Sequence, residues 1–117
     1  MAIELRYYQT VAGEQPFVEW LRALKDRQAR TRIEARIARV AVGNFGDTEP
    51  VGEGVLELRI DWGPGYRVYF ARLGPVVVLL LCGGEKRTQQ KDIDRAKEYF
   101  EDYKARTAKK KEPRGRR

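Results

Sequence analysis

The fold is decided by one stretch, VLELRIDWGPGYRVYF at residues 55–70, which predicts two antiparallel strands joined by a tight turn. Its first half alternates apolar and polar side chains, the pattern of a strand with one aliphatic face. The turn WGPGY supplies the two glycines and the proline that a sharp reversal requires. The hairpin therefore places Arg59, Arg67 and Tyr69 together on the face opposite the aliphatic one.

Patterns on either side of the hairpin predict the remaining elements. They are a strand at 3–9, a helix from Pro16, a helix at about 28–42, a loop at 44–54, a strand at 76–82 and a helix starting near Thr88. The strand at 76–82 is apolar on both faces, as in a central strand covered on two sides. The prediction is an α+β fold in the order β-α-α-β-β-β-α, with a small, mainly antiparallel sheet, two N-terminal helices packed on it and a C-terminal helix.

Composition limits the chemistry that the protein can perform. The chain has 117 residues, enough for one domain, with no histidine and one cysteine. These counts exclude an all-protein zinc site, a Ser-His or Cys-His nucleophile pair and an internal disulfide. We therefore expect no metal and no cofactor, and any catalysis must use Arg, Lys, Tyr, Asp or Glu.

The positive charge is confined to one end of the chain. The formal net charge is +7, yet residues 1–103 are neutral and residues 104–117 hold eight basic side chains with only Glu112 opposing them. We predict a single domain at 1–103 and a basic C-terminal tail at 104–117 whose end is disordered. Two hypotheses remain open for the tail: electrostatic attachment to nucleic acid, and a contribution to solubility alone.

The sequence also indicates where the protein resides. Its longest apolar run, residues 76–82, is far shorter than the roughly 20 residues that span a bilayer. Glu4 and Arg6 lie where a signal peptide would have its apolar stretch. We therefore expect a soluble, cytoplasmic protein with no membrane partner.

The polar face of the hairpin is the candidate functional surface. Arg59 and Arg67, with Lys86 and Arg87 after the neighbouring strand, form a cationic patch suited to a phosphodiester, because guanidinium groups bind phosphate oxygens bidentately. Aromatic side chains beside the patch are candidates to stack on bases: Trp62, Tyr66 and Tyr69. The alternative is that nearby carboxylates simply pair with these cations: Glu57, Asp61 and Glu85.

The hairpin and the segment VVVLLLCGGEKRTQQKDIDRAKEYFEDY at 76–103 together resemble the RelE/ParE toxin superfamily, and within it the phage-derived, HigB-like addiction module killer branch. The resemblance covers about residues 3–103 and depends on the combination of ELR, GPGYRVY and LLxGGxKxxQxxDIxxA. It implies a RelE-like fold and the toxin of a type II toxin-antitoxin module. Such a toxin inhibits translation by metal-free endonucleolytic cleavage of mRNA, in association with the ribosome. The implied partners are mRNA, the ribosome and an adjacently encoded antitoxin, of the helix-turn-helix type.

The resemblance also assigns roles to residues. Arg67 matches the strand arginine that contacts the scissile phosphate, Lys86 the basic position after the last strand, and Arg59 the first arginine of the motif. These three are the predicted catalytic residues. The predicted RNA-binding residues are Tyr66, Tyr69, Trp62, Arg87 and Lys91. Candidates for the general base are Tyr69, Glu57 and Glu85, since the histidines or C-terminal tyrosine of some relatives have no counterpart here.

Two other functions stay open from the sequence. ParE-like members of the superfamily inhibit DNA gyrase and perform no RNA chemistry. A non-catalytic nucleic-acid-binding protein would act through its basic tail. Activity that depends on Arg67 favours the nuclease, whereas activity that depends on residues 104–117 alone favours the binding protein.

Overall fold

A computed structural model describes residues 2–111, with the side chains of the last helix described through residue 108. These residues form an α+β fold in which a mixed sheet lies between helices. The elements are β1 (Glu4–Tyr7), α1 (Pro16–Ala23), α2 (Arg27–Ala41), β2 (Thr48–Gly52), β3 (Val55–Ile60), β4 (Tyr66–Arg72), β5 (Val77–Glu85) and α3 (Gln89–Lys111), with a 3-10 turn at Lys86–Thr88. The predicted α+β class and the C-terminal helix are confirmed.

The described residues contain one five-stranded sheet in the order β1-β5-β4-β3-β2. β1 runs parallel to β5, and the other neighbours are antiparallel. The predicted hairpin is confirmed as β3 and β4, whose register places Arg59 opposite Arg67 and Glu57 opposite Tyr69. Because residues facing each other share one side of a sheet, these four side chains lie on the same face.

The predicted element order is wrong at one place, because the segment expected to be a loop contains strand β2. This strand pairs antiparallel with β3 at the edge of the sheet. Pro50 is tolerated there because an edge strand has one side without a ladder partner. Glu53 and Gly54, both with positive φ, make the reversal into β3. The Gly, Pro and acidic residues that predicted a loop therefore form an edge hairpin.

Helices cover both faces of the sheet. Apolar side chains of α1 and α2 form one core with one face of the central strands: Phe17, Ile33, Val40, Leu58, Val68, Phe70 and Leu80. Helix α3 forms a second core on the other face: Val55, Tyr69, Ala71, Leu79, Leu81, Ile93, Ala96 and Phe100. The polar face of the hairpin is therefore largely underneath α3 rather than open to solvent. None of the helices within residues 2–111 is long and apolar enough to cross a membrane.

Strand β5 runs past its predicted end at Cys82 through Gly83 and Gly84. A Cβ atom on Gly83 would overlap the ring of Trp20 in α1, and one on Gly84 would overlap the Asp92 carboxylate in α3. The two glycines therefore allow helices to pack closely against opposite faces of the same strand. Their role is close packing within the sheet rather than a connection after it.

Helix α3 extends eight residues beyond the predicted boundary at residue 103. Arg106 Nη2 donates to Asp102 Oδ2 at 2.7 Å and to the Gln9 carbonyl at 2.6 Å, and the Tyr8 hydroxyl donates to the same Asp102 oxygen at 2.6 Å. These contacts tie the helix to the chain just after β1. The predicted disorder at the end of the tail concerns residues 112–117, which lie outside the described residues.

Candidate functional site

The predicted catalytic cations come from three elements that meet at one end of the sheet. Arg59 and Arg67 are register partners in β3 and β4, and Lys86 begins the turn after β5. The backbone N–H of Lys86 donates to the Gly65 carbonyl at 2.7 Å, which joins this turn to the hairpin. A Cβ on Gly65 would lie 3.3 Å from Lys86 Cβ and 3.7 Å from Arg67 Nη1. The lysine stem and the Arg67 guanidinium therefore both lie next to Gly65, where a larger residue would press against the lysine stem.

A fully buried carboxylate, Glu57, lies at the centre of the cluster. Its Oε1 accepts a hydrogen bond from Arg59 Nε at 2.9 Å. Its Oε2 accepts from the Tyr69 hydroxyl at 3.0 Å and from Gln89 Nε2 at 2.7 Å. Arg67 Nε lies 3.8 Å from Oε2, close enough for an ion pair but not for a hydrogen bond. Glu57 thus binds one arginine directly and balances the charge of the other.

Gln89 is a site residue that the sequence analysis did not identify. It begins α3 and reaches Glu57 from 32 positions along the chain. Its signal in the sequence was the Q of the motif LLxGGxKxxQxxDIxxA, three residues after Lys86, to which no role had been assigned. The long-range contact could not be anticipated because it depends on how α3 docks on the sheet.

The pKa of Glu57 is set by opposing effects. Burial raises the pKa, but hydrogen bonds from Gln89, Arg59 and Tyr69, together with the charge of Arg59, outweigh burial and hold the pKa below its ordinary value. The carboxylate is therefore ionised at neutral pH. Because its oxygens already accept three hydrogen bonds and its basicity is reduced, Glu57 is poorly suited to act as a general base.

This lowered pKa predicts a pH-dependent stability. A carboxylate whose folded pKa lies below its unfolded value stabilises the fold above the unfolded pKa, and this contribution disappears as the pH falls through the folded pKa. The ordinary value is 4.5. We expect Glu57→Gln to lower the free energy of unfolding at pH 7, with a difference from wild type that shrinks below about pH 4. Urea unfolding at pH 7, 5 and 3 tests this, and parallel pH profiles of the two proteins would contradict it.

The structure contradicts the prediction that Tyr66 and Tyr69 stack on RNA bases. Tyr69 is fully buried and donates to Glu57, and Tyr66 is 5% exposed and packs edge-on against Trp20. Burial, with the charge of Glu57, raises the pKa of Tyr69, so its hydroxyl stays protonated and cannot be the general base. The physical reason is that helices cover both faces of β4. Successive side chains of this strand therefore point into two different cores, rather than alternately into a core and toward solvent.

The indole ring of Trp62 is also covered by contacts with other residues of the protein. Trp62 packs against the core formed by α1 and α2, and the Arg32 guanidinium lies over its ring at 3.8 Å from the centroid. A contact of this kind is a cation-π interaction. A nucleotide base stacking on that ring face would have to displace Arg32.

The remaining predicted RNA-binding residues, Arg87 and Lys91, are both exposed. Arg87 Nε donates to Glu85 Oε1 at 2.9 Å, with the arginine side chain 80% exposed. The alternative hypothesis of pairing with nearby carboxylates therefore holds for Glu57 and Glu85. An exposed ion pair of this kind is weak and leaves Arg87 able to exchange its partner for an anion.

The arrangement can bind a phosphate group and stabilise negative charge on it. Lys86 is exposed, the Arg59 side chain is 36% exposed, and the Arg67 side chain is 11% exposed at the inner end of the cluster. Guanidinium groups preoriented by buried contacts lose little freedom on binding an anion. Within the part of the chain that the structure describes, no three Cys, Asp or Glu side chains are grouped in a way that would hold a metal ion.

Comparison with known proteins gives one informative similarity. No protein-family model matches the chain. A Haemophilus influenzae protein, described only as "Uncharacterized protein", is 54% identical to this chain over 81 residues. The match covers 69% of this chain and 82% of the Haemophilus protein.

Proposed function

The chain belongs to the same family as the Haemophilus influenzae protein, and from its own residues we propose that it is an endoribonuclease that cuts mRNA, the toxin of a type II toxin-antitoxin module. The RelE-like arrangement suggested by the motifs is part of this proposal. The observation that supports it is the position of three cations at one end of the sheet, where Arg59 and Arg67 are register partners and Arg67 and Lys86 both lie next to Gly65. Such a cluster matches a phosphodiester in charge and geometry.

The proposed reaction is an in-line displacement at phosphorus without a metal. The ribose 2′-OH attacks the adjacent phosphorus and loses its proton, the bond to the 5′-oxygen breaks, and that oxygen takes up a proton. The products are a 2′,3′-cyclic phosphate and a 5′-OH end. Arg59 and Arg67 stabilise the added negative charge on the phosphorane, and Lys86 assists them or protonates the leaving oxygen.

None of the three predicted candidates for the base combines free basicity with a position beside Arg67. Tyr69 is disfavoured by its raised pKa and Glu57 by its lowered pKa and its hydrogen bonds. Glu85 is the register partner of Tyr66, so its side chain lies on the face of the sheet opposite Arg67, and it accepts a hydrogen bond from Arg87. A carboxylate is a weak base at neutral pH, so most of the rate enhancement comes from orientation of the RNA and charge stabilisation.

The partners follow from the same proposal. The substrate is mRNA, engaged in association with the ribosome. A nuclease of this kind in the cytoplasm must be restrained, so the proposal includes an adjacently encoded antitoxin of the helix-turn-helix type. Finding a small helix-turn-helix reading frame beside the gene would support this part of the proposal.

The experiment that tests the proposal compares RNA integrity with DNA supercoiling after induction in cells. We expect new 5′-OH ends within mRNA and unchanged plasmid supercoiling. Loss of supercoiling with intact mRNA would instead support the ParE-like alternative. Activity that survives Arg67→Ala but disappears on removal of residues 104–117 would support the non-catalytic nucleic-acid-binding alternative.

A further inference from the structure

Arg67 is a buried cation whose hydrogen-bonding capacity the protein leaves largely unused. The residue is 9% exposed. Among the described residues its side chain makes one hydrogen bond, a long donation from Nη1 to the Tyr66 carbonyl at 3.3 Å. Its Nε is buried without a hydrogen-bond partner. Buried donors are nearly always bonded, so an unbonded arginine nitrogen beside a carboxylate needs a physical explanation.

The explanation lies in the oxygen that Arg67 faces. Oε2 of Glu57 already accepts hydrogen bonds from the Tyr69 hydroxyl and from Gln89 Nε2. Two donors occupy the two lone pairs of a carboxylate oxygen. Arg67 Nε therefore remains 3.8 Å away, held by charge but not by a hydrogen bond.

We propose that Tyr69 and Gln89 are positioning residues that donate hydrogen bonds to Oε2 of Glu57. Arg67 is then held beside this carboxylate by charge alone, and the N–H groups of Arg67 stay free to bind the scissile phosphate. This inference rests on the proposed function and deepens it. Glu57 balances the charge of the buried guanidinium, and the two neutral donors stop the arginine from closing onto the carboxylate. Arg59, which hydrogen-bonds the other oxygen, is held directly.

Removing one of these donors has a defined structural consequence. In Tyr69→Phe the freed lone pair of Oε2 becomes available to Arg67 Nε, whose nearest acceptor is otherwise out of range. Closing from 3.8 Å to a hydrogen bond moves the guanidinium by about 1 Å. A displacement of that size at a reacting centre lowers rate by as much as about a hundredfold. The positive charge stays in place, so affinity for RNA changes little.

The test is a kinetic comparison of Tyr69→Phe with wild type on a defined RNA. We expect kcat to fall at least about tenfold while KM, and the Kd of an RNA with a 2′-deoxy nucleotide at the cleavage position, stay within about twofold. Gln89→Met should act in the same direction. It serves as the test if Tyr69→Phe does not fold, because Gln89 is only half-buried.

Tyr8→Phe is the matched control, because it removes a hydroxyl that donates to a carboxylate of α3, Asp102, away from the cluster. We expect its kcat to equal that of wild type. Unchanged kcat in Tyr69→Phe and Gln89→Met, beside an inactive Arg67→Ala, would overturn this inference and leave the proposed function standing. Full activity of Arg67→Ala would overturn both. Equal loss of kcat in Tyr8→Phe and Tyr69→Phe would also overturn the inference, since it would indicate a general effect of hydroxyl removal.

Discussion

Replacing Arg67 with alanine is expected to reduce RNA cleavage at least about a hundredfold and to relieve growth arrest. The side chain is the innermost of the three cations and keeps its guanidinium donors largely unbonded beside Glu57. Donors fixed in place before the reaction stabilise charge that develops in the transition state, and their loss lowers kcat rather than affinity. Cleavage kinetics on a defined RNA, with and without ribosomes, measure the effect.

Two further variants separate the chemistry from folding. Arg67→Lys keeps a positive charge beside Glu57 but loses the planar fork, so we expect a folded protein with strongly reduced cleavage. Arg72→Ala changes an exposed arginine in the same strand, which donates to the Pro75 carbonyl outside the cluster, and should retain full activity. Cleavage at the wild-type rate by a folded Arg67→Ala protein would show that the assignment is wrong.

The largest effect on stability is expected from Gly83→Ala. The new methyl group would overlap the Trp20 ring that packs flat on this part of β5. Overpacking of a well-packed core costs about 1 to 3 kcal/mol, and more where a rigid ring must move. We expect a loss of about 3 kcal/mol in the free energy of unfolding, measured by urea denaturation.

Gly43→Ala is the control for this prediction, because the two glycines differ in what constrains them. Gly43 has a φ of +91° with no atom within 4 Å of an added Cβ, whereas Gly83 has neither positive φ nor free space. Gly43→Ala therefore reports backbone strain alone, about 1 kcal/mol. Gly83→Ala should also couple with Trp20→Leu, so that the double variant is more stable than additivity predicts. Additive effects would contradict the proposed overlap.

The hairpin shows which features of the fold could be derived from sequence. Alternation over residues 55–61 and the glycines of the turn are local signals, and they correctly predicted that Arg59 and Arg67 share one face of an antiparallel hairpin. Strand β2 was missed because its pairing with β3, not its own composition, makes it a strand. Pro50 and the neighbouring acidic residues are compatible with a strand only at the sheet edge.

In the candidate site, too, some features were predicted from the sequence and others depend on tertiary packing. The three predicted cations meet at one end of the sheet because strand register fixes Arg59 and Arg67, and the turn directly after β5 places Lys86 next to the hairpin. The aromatic predictions failed because solvent exposure depends on what packs above a face. Tyr69 was placed on the correct face of β4, but α3 covers that face and turns the hydroxyl into a donor to Glu57.

The sequence by itself determined the hairpin and the arginines that share its polar face, because these follow from the two-residue period of a strand and from turn chemistry. Tertiary structure alone decided what those cations face. Docking of α3 buries Glu57 and brings Gln89 to it from 32 positions away. The state of Arg67, charged, buried and not fully bonded, therefore depends on a contact between distant elements that no local pattern encodes.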